Sequence, residues 1–115
     1  MYRISKEFTF EAEHHLVPPY EGKCARTHGH SYTVEVVMRA EDLNPCGMVM
    51  DFTDLSPLKH YIDQRLDHTS LNETIEQPTA ENIARHIFDW LKGAEFWPER
   101  VRVQETAKCW AEYSE

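Results

Sequence analysis

The chain has 115 residues, 41% hydrophobic and 28% charged, with a formal net charge of −8 at pH 7. That is enough for one modest core in an ordinary globular composition, with no long disordered tail or internal repeat. The acidic balance excludes nonspecific binding to DNA, RNA or anionic membrane, an affinity that rests on Lys and Arg neutralising phosphates, and leaves a small-molecule partner as the expectation.

Residues 1–115 read as one domain. Lys6, Glu7, Glu11 and Glu13 break the N-terminal segment, so it holds no signal-peptide core, and no run approaches the roughly 18 apolar residues of a membrane span. A cytoplasmic protein is expected. Its three cysteines, Cys24, Cys46 and Cys109, are far apart and form no C-x-x-C, which argues for reduced thiols rather than a disulfide framework.

From Ile4 to His14 apolar residues alternate with polar ones: Ile4, Phe8, Phe10 and Ala12 share one parity, with Lys6 as the exception. Period two predicts a half-buried strand, and His14 falls in phase with its apolar side. The stretch 16-LVPPYEG-22 ends that strand, and a loop then carries Cys24. A second strand is predicted over about 28–40, with Tyr32, Val34, Val36 and Met38 on the apolar parity. His28 and His30 share that parity, so both point to one face of the sheet.

After the turn 44-NPCG-47, Ser56-Pro57 reads as an N-cap followed by proline at the first helical position. Leu58, Tyr61, Ile62 and Leu66 form one helical stripe that stops at Asp67-His68. The loop 69-TSLNETIEQP-78 leads to Thr79, the predicted N-cap of a second helix bearing Ile83, Ile87, Trp90 and Leu91 and ending at Gly93. A terminal hairpin follows, with Val101, Val103 and Glu105 on one parity and then Cys109, Ala111 and Tyr113. The order β-β-α-α-β-β predicts an α+β domain, a four-stranded antiparallel sheet with two helices on one face.

Several residues in this pattern can carry chemistry. His14, His28 and His30 on one sheet face can supply the three protein ligands of a catalytic zinc site, although H-x-H alone also describes ordinary strand histidines. His15 points the other way, and His60 and His86 lie on helices without a partner at ligand spacing. Cys24, beside Lys23 and Arg26, reads either as an activated thiol or as a small buried hydrophobe. Cys46 and Cys109 take the second reading. Asp67-His68 is either an imidazole oriented by a carboxylate or a charge at a helix C-terminus. Glu105 sits on an apolar parity and needs a partner, from a ligand or from an internal cation such as Arg85.

The motifs 10-FEAEH-14, 24-CARTHGH-30, 48-MVMDF-52, 66-LDHTSLN-72, 78-PTAENIA-84 and 105-ETAKCWAEY-113, in this order, resemble the 6-pyruvoyltetrahydropterin synthase superfamily nearly end to end. The short spacing in C-x-x-x-H-G-H is most similar to its bacterial branch, the 6-carboxytetrahydropterin synthases of queuosine biosynthesis, rather than to the pyruvoyl enzymes. The resemblance implies Zn2+ on His14, His28 and His30, a catalytic Cys24, a catalytic Asp67–His68 pair, and a pterin-anchoring Glu105. It also implies a pterin triphosphate substrate, the sheet-and-two-helix fold, and a homo-oligomer, trimer or hexamer, with active sites between subunits. One departure is His15, where relatives often carry arginine.

Overall fold

The computed structural model describes residues 1–115. Two strands, β1 (Tyr2–His14) and β2 (His28–Ala40), precede two helices, α1 (Ser56–Arg65) and α2 (Ala80–Gly93), and two strands, β3 (Pro98–Thr106) and β4 (Cys109–Tyr113), follow them. The sheet is antiparallel with spatial order β1-β2-β3-β4, so both helices lie in the one long excursion between β2 and β3. No helix is long and apolar enough to cross a membrane.

Alternation decides which face is buried. Phe8, Phe10 and Ala12 of β1, Tyr32, Val34, Val36 and Met38 of β2, and Val101 and Val103 of β3 all enter one core cluster. The helices close over it with Leu58 and Ile62 of α1 and Ile83, Ala84, Ile87, Phe88 and Leu91 of α2. Lys6, the parity exception, stays out of the core because its ammonium reaches the Phe52 carbonyl at 3.2 Å.

The start of α1 differs from the expectation. Ser56 is already helical and does not cap; a 3-10 turn at Phe52–Leu55 runs into the helix, and Asp51 caps that turn by accepting from the Thr53 N–H at 2.9 Å. Cys46 and Cys109 also differ: both are exposed rather than buried, because each sits at a turn, Cys46 in 44–47 and Cys109 where β3 reverses into β4. The segment between the helices is more ordered than a loop. The His68 N–H donates to the Glu11 carbonyl, the Glu13 N–H to the Thr69 carbonyl at 3.1 Å, and Ser70 bridges Glu13 in parallel, so 68–70 covers the outer edge of β1 there.

Thr79 caps α2 as expected, its hydroxyl accepting from the Asn82 N–H at 3.1 Å. Removing that acceptor leaves one helix N–H without a partner. Thr79→Ala should therefore cost about 1 kcal/mol, measured as a lower urea midpoint with an unchanged slope.

Candidate metal centre and adjoining cleft

The β1–β2 ladder pairs His14 with His28 and Ala12 with His30, which gathers the imidazoles at one end of the core face. Val103 on β3 lies opposite Val34, and the same parity carries Glu105 to that end. One ligand atom from each of His14, His28, His30 and Glu105 lies within 4.8 Å of all the others. Arg85 is not the partner of Glu105; it pairs with Asp89 at 3.6 Å and lies over the Tyr113 ring. The Glu105 carboxylate instead lies 3.1 Å from His30 Nε2 and 3.9 Å from His14 Nε2 of its own chain.

Two backbone carbonyls fix the tautomers. His14 Nδ1 donates to the Pro78 carbonyl and His28 Nδ1 to the Arg26 carbonyl, each at 2.7 Å, since a carbonyl can only accept. In the neutral rings both protons are thereby spent, and the two Nε2 lone pairs face each other at 3.1 Å. Only a cation or an added proton relieves that contact. Burial pushes the His14 pKa below its ordinary value, which disfavours the proton. His30 Nε2 is buried with no hydrogen-bond partner, because Glu105 is near enough for attraction yet not aligned to accept.

These features fit a metal. Nitrogen ligands on a tetrahedral zinc at roughly 2.0–2.1 Å stand about 3.3 Å from one another, close to the spacing of the two Nε2 atoms. Backbone carbonyls on the far ring nitrogens are the usual orienting partners of ligating histidines. The deepest candidate ligand, His14, is 1% exposed, and burial holds it in its neutral form, the form able to ligate, to lower pH than an ordinary imidazole.

Asp67 and His68 are brought together as the sequence suggested, but not as a helix-end charge. Asp67 Oδ1 accepts from the Glu11 N–H at 2.9 Å and Oδ2 lies 2.8 Å from His68 Nδ1. The Glu11 N–H, and then His68, hold the Asp67 carboxyl below its ordinary range. A depressed value means this stabilisation is complete above the ordinary carboxylate range and is lost as pH falls through the lower folded value. His68 has φ 57°, a left-handed conformation unusual for a side chain with a Cβ, and its imidazole is 77% exposed. It lines a cleft of about 710 Å³ that His30 also lines, together with Glu11, Glu13, Ser31 and Glu73. That volume suits a small-molecule site.

Cys24 is half-buried in a short 3-10 turn and is not one of the four grouped donors. His15, His60 and His86 stay apart from the cluster, and His86 Nε2 meets the Tyr61 hydroxyl at 2.6 Å. Sequence reasoning missed the Pro78 and Arg26 carbonyls, since any residue supplies a carbonyl. It also missed Tyr32, whose hydroxyl is fully buried without a partner and whose ring meets those of His14 and His30 edge-on at 5.9 and 5.5 Å.

A four-stranded antiparallel sheet, two helices on one face, and an imidazole cluster that could hold a metal at the end of the core define a pterin-synthase type of fold. The chain belongs to the 6-pyruvoyl tetrahydropterin synthase family, whose model matches residues 3–115. It is 45% identical over 101 residues to the 6-carboxy-5,6,7,8-tetrahydropterin synthase of Synechocystis sp., covering 82% of this chain and 78% of that one. It is 36% identical to the enzyme of the same name from Haemophilus influenzae, with both chains covered completely. The solved structure of Caenorhabditis elegans 6-pyruvoyl tetrahydropterin synthase superposes with a TM-score of 0.87 at 26% identity, covering 99% of this chain and 95% of that one.

His28→Ala removes one of the two facing lone pairs and leaves two imidazoles. It should lose tightly bound zinc, read by elemental analysis after dialysis against a weak chelator. Full metal retention in this variant would remove His28 from the centre.

Proposed function

We propose that this chain is a zinc-dependent lyase that converts 7,8-dihydroneopterin triphosphate and one water to 6-carboxy-5,6,7,8-tetrahydropterin, acetaldehyde and triphosphate, within queuosine biosynthesis and in the cytoplasm. One observation carries the reading. Two neutral imidazoles, with both Nδ1 protons committed to carbonyls, aim their lone pairs at one point beside His30, in a chain so similar to named carboxytetrahydropterin synthases. The shared cleft of His30 and His68 supports a catalytic rather than a closed structural site.

His14, His28 and His30 would hold the zinc. Bound there, the ion supplies Lewis acidity toward the substrate's side-chain hydroxyls. Cys24 moves a proton at the substrate side chain through its Sγ. Asp67 Oδ2 fixes the Nδ1–H of His68, so Nε2 is the atom that accepts or returns a proton from the cleft. Glu105 accepts the paired N–H groups of the pterin edge and orients the ring. Lys23 and Arg26 flank the thiol and supply charge for the triphosphate. The two edge strands, β1 and β4, support assembly into a homo-oligomer, a trimer or hexamer, since each presents unpaired backbone groups outside the stretch covered by 68–70.

Product analysis of the zinc-loaded protein with dihydroneopterin triphosphate tests the reaction: acetaldehyde is expected, and triphosphate release without acetaldehyde would point to the pyruvoyl reaction instead. Cys24→Ala should keep its zinc while turnover falls by roughly 100-fold or more, the scale of losing a positioned acid or base.

Glu105 can serve the pterin or the metal, and one substitution separates the roles. Glu105→Gln turns one acceptor oxygen into a donor, so as a pterin anchor it should weaken pterin binding by about 2–4 kcal/mol and leave zinc content unchanged. Calorimetric titration with a pterin, paired with metal analysis, reads both. Loss of zinc with intact pterin affinity would make Glu105 a fourth ligand.

A further inference from the structure

The chain leaves the sheet after His14, and 15–17 has no neighbouring strand, yet these residues are hydrogen-bonded as though they had one. Asn72 Oδ1 accepts the His15 N–H and Asn72 Nδ2 donates to the His15 carbonyl, both at 2.9 Å. Gln77 repeats the pattern on Val17, its Oε1 accepting the N–H at 2.7 Å and its Nε2 donating to the carbonyl at 2.9 Å. A primary amide is the one side chain that offers a neutral donor and acceptor at peptide-like spacing.

What hangs from this stretch is the thiol. The Leu16 N–H, between the two clamped residues, donates to the Cys24 carbonyl at 2.8 Å. The Cys24 N–H donates to the Tyr20 hydroxyl at 3.3 Å, and the Tyr20 N–H donates to the Val17 carbonyl at 3.1 Å. Both backbone groups of Cys24 therefore trace back to Leu16 and Val17. The ring of Tyr20 lies so close to Gly22 that a Cβ there would fall 2.5 Å from its hydroxyl, so a side chain at 22 would displace the tyrosine.

The clamps themselves have firm seats. The Gln77 carbonyl accepts from Asn82 Nδ2 and from the Thr79 N–H, each at 2.9 Å, tying it to the first turn of α2. Asn72 follows Leu71, which is fully buried in the core.

We infer that Asn72 and Gln77 are positioning residues that fix the place of the Cys24 thiol, by holding residues 15 and 17 as a neighbouring strand would. This rests on the reading of Cys24 as the proton-transfer group, and the test keeps the two ideas apart. Asn72→Asp and Gln77→Glu each keep the acceptor and lose the donor, setting an oxygen against a carbonyl. Tyr20→Phe reaches the same thiol by removing only the hydroxyl that accepts the Cys24 N–H.

The experiment uses the zinc-loaded protein with Cys46 and Cys109, both exposed, changed to serine, so that iodoacetamide reports Cys24 alone. For each variant, kcat, KM, zinc content, melting temperature and the pH profile of Cys24 alkylation are measured. The expected result is a fall in kcat of about 10- to 100-fold, the scale of an ångström-sized misplacement, with KM and zinc content unchanged and a shifted alkylation profile. Wild-type kcat and alkylation in folded Asn72→Asp, Gln77→Glu and Tyr20→Phe would overturn the inference. So would losses that follow zinc content or melting temperature alone. Should Cys24→Ala itself retain full turnover, the catalytic reading fails, and the alkylation profiles still decide whether the clamps place the thiol.

Discussion

The register of β1 against β2 is the constraint from which the site follows. Thirteen consecutive pairs run from Tyr2↔Ala40 to His14↔His28, and only in that register do His14, His28 and His30 share a face and an end. A slip by one residue would turn one strand over against the other, taking either His14 with Phe8 and Phe10 or His28 and His30 with Tyr32 and Val34 off the core face. The apolar residues that make the slip costly are thus the guarantors of the metal geometry, several residues away from it. Phe10 stacked on Tyr32 at 4.9 Å is the last apolar layer before the imidazoles begin.

That arrangement places polar atoms where water cannot reach them. A buried lone pair or hydroxyl without a partner costs free energy, and here the Nε2 of His30 and the hydroxyl of Tyr32 are both buried without one, while the Nε2 of buried His14 faces that of half-buried His28. Apolar packing beneath them supplies the compensation. A bound metal would turn the same unfavourable contacts into ligation, so metal affinity and folding stability are linked in this fold. The carbonyls of Pro78 and Arg26 matter to both, because they choose the tautomer before any ion arrives.

Features encoded by repetition were legible in the sequence. Alternation in β1, β2 and β3 gave the sheet, its buried face and the shared face of the imidazoles; the stripe of Ile83, Ile87 and Leu91 gave α2. Glu105 stood out because a carboxylate broke an apolar parity, and the structure answers with imidazoles rather than Arg85. What stayed hidden depends on single contacts with no period. Side-chain amides of Asn72 and Gln77 imitate a strand, 68–70 pairs with β1 through backbone alone, and exposed Cys46 and Cys109 follow from turns whose outward direction composition does not record.

The acidic charge sharpens the question of how this fold would attract a triphosphate. Carboxylates engage most of the guanidinium groups: Arg3 with Glu99, Arg85 with Asp89, and Arg100 and Arg102 with Glu112, while Lys59 and Lys92 are held by Asp63 and Glu115. Lys23 and Arg26 take part in no such pair and stand on either side of Cys24 in the sequence. Glu11, Glu13 and Glu73 meanwhile line the cleft beside His68. A strongly anionic substrate would keep its phosphates away from those glutamates and toward the Cys24 turn, since like charges repel. Under the proposed reaction the turn that carries the thiol therefore has two duties, phosphate recognition and proton transfer, and both depend on where residues 15–17 hold it.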